Sequence, residues 1–193
     1  MCICANRRNA MESSERLILY CLGAQEKPVR TKLELQKILF LSSVSLPDIF
    51  GGIYTFQKHK MGPYSEKVDE DVEEIRFSGY LTGPGFDLSP VGEEIYRGIE
   101  RGVKEPLKSA ILSNKEFVLG LSENELLTYI YTLFPEYQRN SEKWDELKSH
   151  RLEYAISMFR KGKITASLAA QVAGMNYYDF EDYLRKIGIR WKS

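Results

Sequence analysis

The sequence predicts a mostly α-helical protein with one small β-hairpin. Three observations predict it. Apolar residues recur at helical spacing through most of the 193 residues. Two capping boxes, Thr31-Lys32-Leu33-Glu34 and Ser122-Glu123-Asn124-Glu125, announce helix starts. One Gly-Pro-Gly turn, at Gly83 to Gly85, separates two short β-prone pieces.

Taken in order, residues 1–10 (MCICANRRNA) read as a flexible tail. Ser13 and Ser14 cap a helix running to about Leu22, and Gly23 stops it. In the Thr31 box the hydroxyl meets the third amide and Glu34 reaches back. The helix it opens carries Leu35, Ile38, Leu39 and Leu41 and ends before Pro47. Ile53 to Phe56 reads as a short strand or extended segment. Gly62-Pro63-Tyr64-Ser65 reads as a turn with an N-cap at Ser65, opening a helix from about Glu66 to Phe77. Tyr80-Leu81-Thr82 and Phe86-Asp87-Leu88 are the arms of the predicted hairpin. Ser89 caps the next helix, with Pro90 at its first position, as far as about Arg101.

The order helix, helix, strand, helix, hairpin, helix is that of a winged helix, with the hairpin as its wing. Residues 11–105 are therefore expected to form a winged-helix-like domain. Leu88-Ser89-Pro90-Val91-Gly92 resembles the Leu-Thr-x-x-Gly step of winged-helix regulators. Residues 106–150 read as a helical middle. Leu126, Leu127, Ile130, Tyr131 and Phe134 follow at helical spacing, and Pro135 stops the run. Tyr129, Tyr131, Phe134 and Tyr137 read as core aromatics. Ser141 is expected to cap a longer helix through Trp144 and Phe159 to Lys161. Residues 151–193 read as a helix-turn-helix-like unit. Thr165 caps a helix to Ala173, Gly174 breaks it, and Asn176 caps another to about Ile187. Ala170, Gly174, Met175 and Phe180 fall where such a unit wants a small residue, a turn residue and core contacts.

Composition limits the function. Lys+Arg and Asp+Glu are both 27, a net charge of +0, so no global basic field draws the molecule onto nucleic acid. The total conceals a cancellation: residues 81–150 carry 8 basic and 12 acidic side chains, and residues 151–193 carry 8 and 4. No apolar run reaches the ~18 residues of a membrane span. Cys2, Cys4 and Cys21 form no disulfide framework or zinc set, which fits a reducing cytoplasm. Among the sequence motifs there is no phosphate loop, nucleophile elbow, zinc-protease helix or dinucleotide fingerprint. No cofactor, metal or catalytic residue is expected, and the protein is read as not an enzyme.

Two sets of residues are candidates for binding. Gln36, Lys37, His59, Lys60 and Tyr64 gather around the Gly62–Ser65 turn, at the start of a helix where anions are favoured. The plainer reading is that Gly62 and Pro63 shape the turn while Tyr64 packs. Arg160, Lys161, Lys163, Arg185, Lys186 and Arg190 surround the C-terminal unit and suit a phosphate backbone or an acidic partner. Against base reading, the leading turns after Asn176 hold Asp179, Glu181 and Asp182. Acid there favours the helix dipole. The stretch Glu66 to Glu74 sets six carboxylates against Lys67, so that helix reads as a solvated or protein-binding face rather than a groove reader.

Two family resemblances add to this. Arg30-Thr31-Lys32, Leu35 to Leu41, His59 to Ser65 with the acidic helix after it, and Phe134-Pro135-Glu136-Tyr137 with Ser141 together resemble the YwgA-like and SocA-like (Panacea) antitoxin-associated proteins over about 30–141. Lys161 to Ile164, Ala169-Ala170, Ala173-Gly174-Met175, Phe180 and Leu184 resemble the helix-turn-helix-like tail of a family of small uncharacterised prokaryotic proteins regarded as antitoxins. Both resemblances imply a prokaryotic or archaeal regulator without a defined catalytic site. The expectation is a cytoplasmic, antitoxin- or transcription-regulator-like protein that binds a protein partner or itself as a homodimer, with DNA as a further candidate partner. The alternatives are a pure interaction adaptor, or a ligand or enzyme domain at the His59–Ser65 turn.

Overall fold

The computed structural model describes residues 11, 13–25 and 27–189. The expected tail, Cys2, Cys4, Arg190 and Lys192 lie outside the described residues. The chain is mostly helical with one small two-stranded hairpin, as the sequence predicts. It forms two compact units: residues up to Gln57 with Pro63–Leu119, and Lys58–Gly62 with Gly120 onward. The stretch 106–150 is divided between them.

The first unit is built on α1 (Ser13–Gly23) and α2 (Lys32–Ser45). Thr31 and Glu34 form the expected capping box. Every residue of α2 from Glu34 to Ser42 is buried, so this helix is wrapped on all sides. A short α3 (Pro47–Phe50) follows. The acidic helix α4 (Glu66–Phe77) packs on α1, as does α5 (Pro90–Glu100), while α6 (Leu107–Leu119) lies along α2.

Of the short strand or extended segment expected over 53–56, no strand forms. Strand pairing falls instead on β1 (Gln57–His59) and β2 (Gly62–Tyr64). Tyr54 is drawn into the core: its hydroxyl donates to Ser14 O at 2.8 Å and to the Asp71 carboxylate at 3.2 Å. Phe56 packs edge-on against Phe40. The segment is thus committed to side-chain packing rather than to a ladder. Gly62, at φ +81, turns the chain back, so Gly62-Pro63-Tyr64 is a strand and not the expected turn.

The expected wing is also smaller. It is a single antiparallel bridge, Leu81 with Leu88. Its loop carbonyls are held from outside the loop, by the Arg76 guanidinium, which donates to Gly83 O and to Gly85 O. Beyond it, Ser89 accepts from the Gly92 amide at 3.0 Å as the predicted N-cap. Gly92 lies so close to Tyr80 that a Cβ there would come within 2.1 Å of the Tyr80 carbonyl oxygen.

Asp71 is buried, and its carboxylate also receives Lys67 at 2.7 Å. Not all of the acidic helix is therefore a solvated face: Asp71 and Asp69 turn inward while Glu70, Glu73 and Glu74 are exposed. Burial, then the charge and hydrogen bond of Asp71, raise the Tyr54 pKa well above its ordinary 10.0. A raised folded pKa means stability fully present below pH 10.0 and lost as pH rises beyond it. Tyr54→Phe should therefore show a shallower fall of melting temperature in alkali, alongside a loss of about 1 kcal/mol at neutral pH. Equal alkaline slopes in the two proteins would remove Tyr54 from the account.

The second unit contains α7 (Glu123–Leu133), a 3-10 turn (Pro135–Asn140), α8 (Trp144–Arg160), α9 (Ala166–Ala173) and α10 (Tyr177–Lys186). Ser122 and Glu125 complete the second capping box. Tyr131 is buried edge-on against Trp144. Ser141 does not cap α8. The 3-10 turn occupies the approach, Ser141 accepts instead from the Lys143 amide at 3.2 Å, and the helix starts three residues later.

Candidate functional site

The C-terminal unit is the most defined candidate. Thr165 accepts from the Leu168 amide and Asn176 from the Asp179 amide, so both helices carry their predicted caps. Gly174 sits at φ +70, the left-handed conformation that ends α9. The Arg151 guanidinium from α8 lies over it and donates to Ala173 O at 2.7 Å. This places a cation at the C-terminal end of α9, where the helix dipole favours one. Ala169, Ala170, Val172 and Ala173 are buried, as are Phe180 and Leu184 of α10. Phe180 meets Phe159 edge-on. Two short helices joined through Gly174 and Met175 thus share one small core with α8.

The basic residues of this unit differ in their attachments. Lys161 donates to both oxygens of Glu125, at 2.8 and 2.6 Å, tying the end of α8 to the start of α7. Burial alone would raise the Glu125 pKa; the bonds from Lys161, Ser157 and Ser122 outweigh it and lower it. Arg185 pairs along its own helix with Glu181 at 2.9 Å and Asp182 at 3.4 Å. Arg160 and Lys186 are exposed, and Lys163 is half-buried.

The outward face of α10 was not singled out by sequence reasoning. Tyr178 is 75% exposed, and Asp179, Asp182, Arg185 and Lys186 are exposed with it. Residues 178, 182 and 185 lie on one stripe opposite Phe180 and Leu184. That stripe was legible, because the two buried residues are four apart. Its first half is acidic and its last turn basic. Asn176, the residue best suited to read a base edge, is engaged in the cap, where its side chain also bonds the Asp179 carboxylate.

The second candidate set is divided between the units. Gln36, Lys37 and Tyr64 belong to the first. The Gln36 amide donates to Ser65 O at 2.9 Å and to Asp69 at 3.0 Å, and accepts from the Ser65 amide at 2.9 Å. Lys37 is buried and donates to Pro63 O at 2.7 Å. Tyr64 donates to Asp69 at 2.6 Å, and Lys32 joins the same carboxylate at 2.9 Å. Burial alone would raise the Asp69 pKa; the bonds from Tyr64, Lys32 and Gln36 reverse that and lower it. His59 and Lys60 belong to the second unit, where Lys60 pairs with Glu142 at 2.5 Å. Lys32 and Asp69 were missed, since no local spacing links Lys32 and Gln36 to a residue more than thirty positions away.

Among the described residues, no group of three or more His, Cys, Asp or Glu side chains is placed to hold a metal ion. No described helix is long and apolar enough to cross a membrane. No curated protein and no solved structure matches the chain. The family match bears on the second of the two resemblances and stops short of the region that carries most of the first. Residues 134–193, from the 3-10 turn through α10, match the model of an uncharacterised protein family, UPF0175.

Proposed function

We propose that this protein is a non-enzymatic prokaryotic or archaeal regulator of the antitoxin-like kind, working in the cytoplasm through protein–protein contact, with a second copy of itself as its first partner. The observation that carries this reading is the exposed stripe of α10, aromatic and acidic at its start and basic at its end. Such a stripe is self-complementary. Across a two-fold axis with antiparallel helices, Asp179 and Asp182 of one copy meet Arg185 and Lys186 of the other, as an isologous interface requires. Tyr178 supplies rigid amphipathic area of the sort enriched at interface centres. The resemblance of this tail to antitoxin-like proteins agrees with a regulatory role.

A charge-swap series tests it by sedimentation or light scattering. The wild-type chain should be dimeric at micromolar concentration. Asp182→Lys alone and Arg185→Glu alone should each weaken association about tenfold or more. The double variant should recover most of it, because both swapped charges face each other in the dimer. A monomer at all accessible concentrations overturns the reading. So does duplex DNA binding at low salt that falls when Arg160 and Lys186 are changed to Ala while the chain stays monomeric. That outcome would put DNA in the place of the second copy.

A further inference from the structure

The first unit contains a cleft of about 330 Å³ that none of the sequence motifs points to. Its walls are apolar: Leu17, Ile49, Ile53, Ile99, Val103 and Leu107. Two cations, Arg16 and Lys104, line it as well. Both are exposed, and neither makes an ion pair or a side-chain hydrogen bond among the described residues. Among the described residues, no carboxylate lines the cleft.

Tyr20 supplies the second, independent observation. It is only 2% exposed, lines the same cleft and stacks on Tyr96 at 6.2 Å between ring centres. The Tyr96 hydroxyl is satisfied by Glu100 at 2.7 Å. The Tyr20 hydroxyl has no hydrogen-bond partner among the described residues. As a residue of the cleft wall, Tyr20 can offer this hydroxyl as a donor to an acceptor in the cleft. Burial, then the charges of Glu100 and Glu105, raise the Tyr20 pKa.

The geometry points to a binding site for a small amphipathic carboxylate, such as a medium-chain fatty acid, with its tail against the apolar walls and its carboxylate among Arg16, Lys104 and the Tyr20 hydroxyl. An apolar cavity with a few convergent polar groups is the usual form of a small-molecule site. Here the polar groups are cationic or donating, and none has a partner among the described residues. They select an anion with acceptor oxygens over a neutral or cationic amphiphile. The volume lies at the small end of such sites, which limits the tail to a short or medium chain. This inference does not depend on the α10 interface, and either can fail alone.

The probes are octanoate and its uncharged analogue octanol, titrated into the full chain and followed by methyl NMR. Octanoate should shift the methyl signals of Ile49, Ile53 and Val103 and saturate at millimolar concentration or below. An Arg16→Gln/Lys104→Gln chain should bind octanoate about tenfold more weakly and octanol as before. Both cations are exposed, so these changes leave the core intact. Tyr20→Phe removes a hydroxyl that holds no other described residue. It should keep the melting temperature and also weaken octanoate binding. Signals that do not move, or octanoate binding unchanged in the double variant, would overturn the proposal. Octanol binding as tightly as octanoate would leave an apolar cleft without a head-group site and would overturn it as well.

Discussion

A Gly92→Ala chain is expected to lose about 3 kcal/mol of stability. Gly92 is in the first turn of α5, three residues after the Ser89 cap. A Cβ at this position would lie 2.1 Å from the Tyr80 carbonyl oxygen and 3.0 Å from its carbonyl carbon. Those atoms are backbone, and Tyr80 O also accepts the Ser89 amide at 2.9 Å. No side-chain rotation can clear the contact; α5 and the Leu81–Leu88 bridge must part. Gly98 is the control on the same helix. A Cβ there meets nothing within 4 Å. Gly98→Ala should be neutral or stabilising by about 1 kcal/mol, from helix propensity alone. Urea unfolding of both chains checks the pair, and equal midpoints would show that the approach of Tyr80 to Gly92 is not constraining. The Gly of the Leu-Ser-Pro-Val-Gly step thus acts as a spacer that lets the start of a helix touch backbone.

Lys115→Met is expected to cost about 2–4 kcal/mol. Lys115 is fully buried, and its ammonium donates to Leu22 O at 2.9 Å and Ala24 O at 2.5 Å. Leu22 O lies in the last turn of α1 and Ala24 O just beyond it, where no further turn of helix is available to bond them. Methionine fills the same volume but leaves both acceptors dry. The loss is partly offset because burying an ammonium is itself unfavourable. That cost appears in the titration: burial lowers the Lys115 pKa, against a smaller opposing effect of Cys21. The unfolded chain then holds the proton more readily, so this group makes stability rise with pH, from the lowered value up to 10.5. The methionine chain should lack that rise. If it unfolds at the same urea concentration as wild type, the two carbonyls have found other partners.

These two sites show what a sequence can and cannot disclose. The caps at Thr31, Ser89, Ser122, Thr165 and Asn176 were legible because a cap and its amide are three residues apart. The break at Gly174 was legible for the same local reason. Lys115 and Leu22 are 93 residues apart, and a lysine bonding backbone carbonyls leaves no mark on the residues it bonds. Arg151 over Gly174 is hidden in the same way. The 53–56 segment has strand composition but sits beside Asp71 and Ser14, whose demand for the Tyr54 hydroxyl is tertiary. For the candidate site, the acidic start of α10 was readable, and so was its disagreement with base reading. Which of the surrounding cations are tied down, Lys161 and Arg185, required coordinates.

The pairing of Gln36 with Ser65 has a wider consequence. One side-chain amide offers a carbonyl and an N–H to the backbone of one residue, Ser65, as a neighbouring strand would. It is a one-rung ladder built from a helix. A carboxylate of equal length lacks the donor, and asparagine lacks the reach, so position 36 tolerates little besides a glutamine. This rung ties the start of the acidic helix to a helix that is buried on every side from Glu34 to Ser42. The direction in which Glu70, Glu73 and Glu74 present their charge is therefore set by a neutral residue on another helix, 29 positions before Ser65.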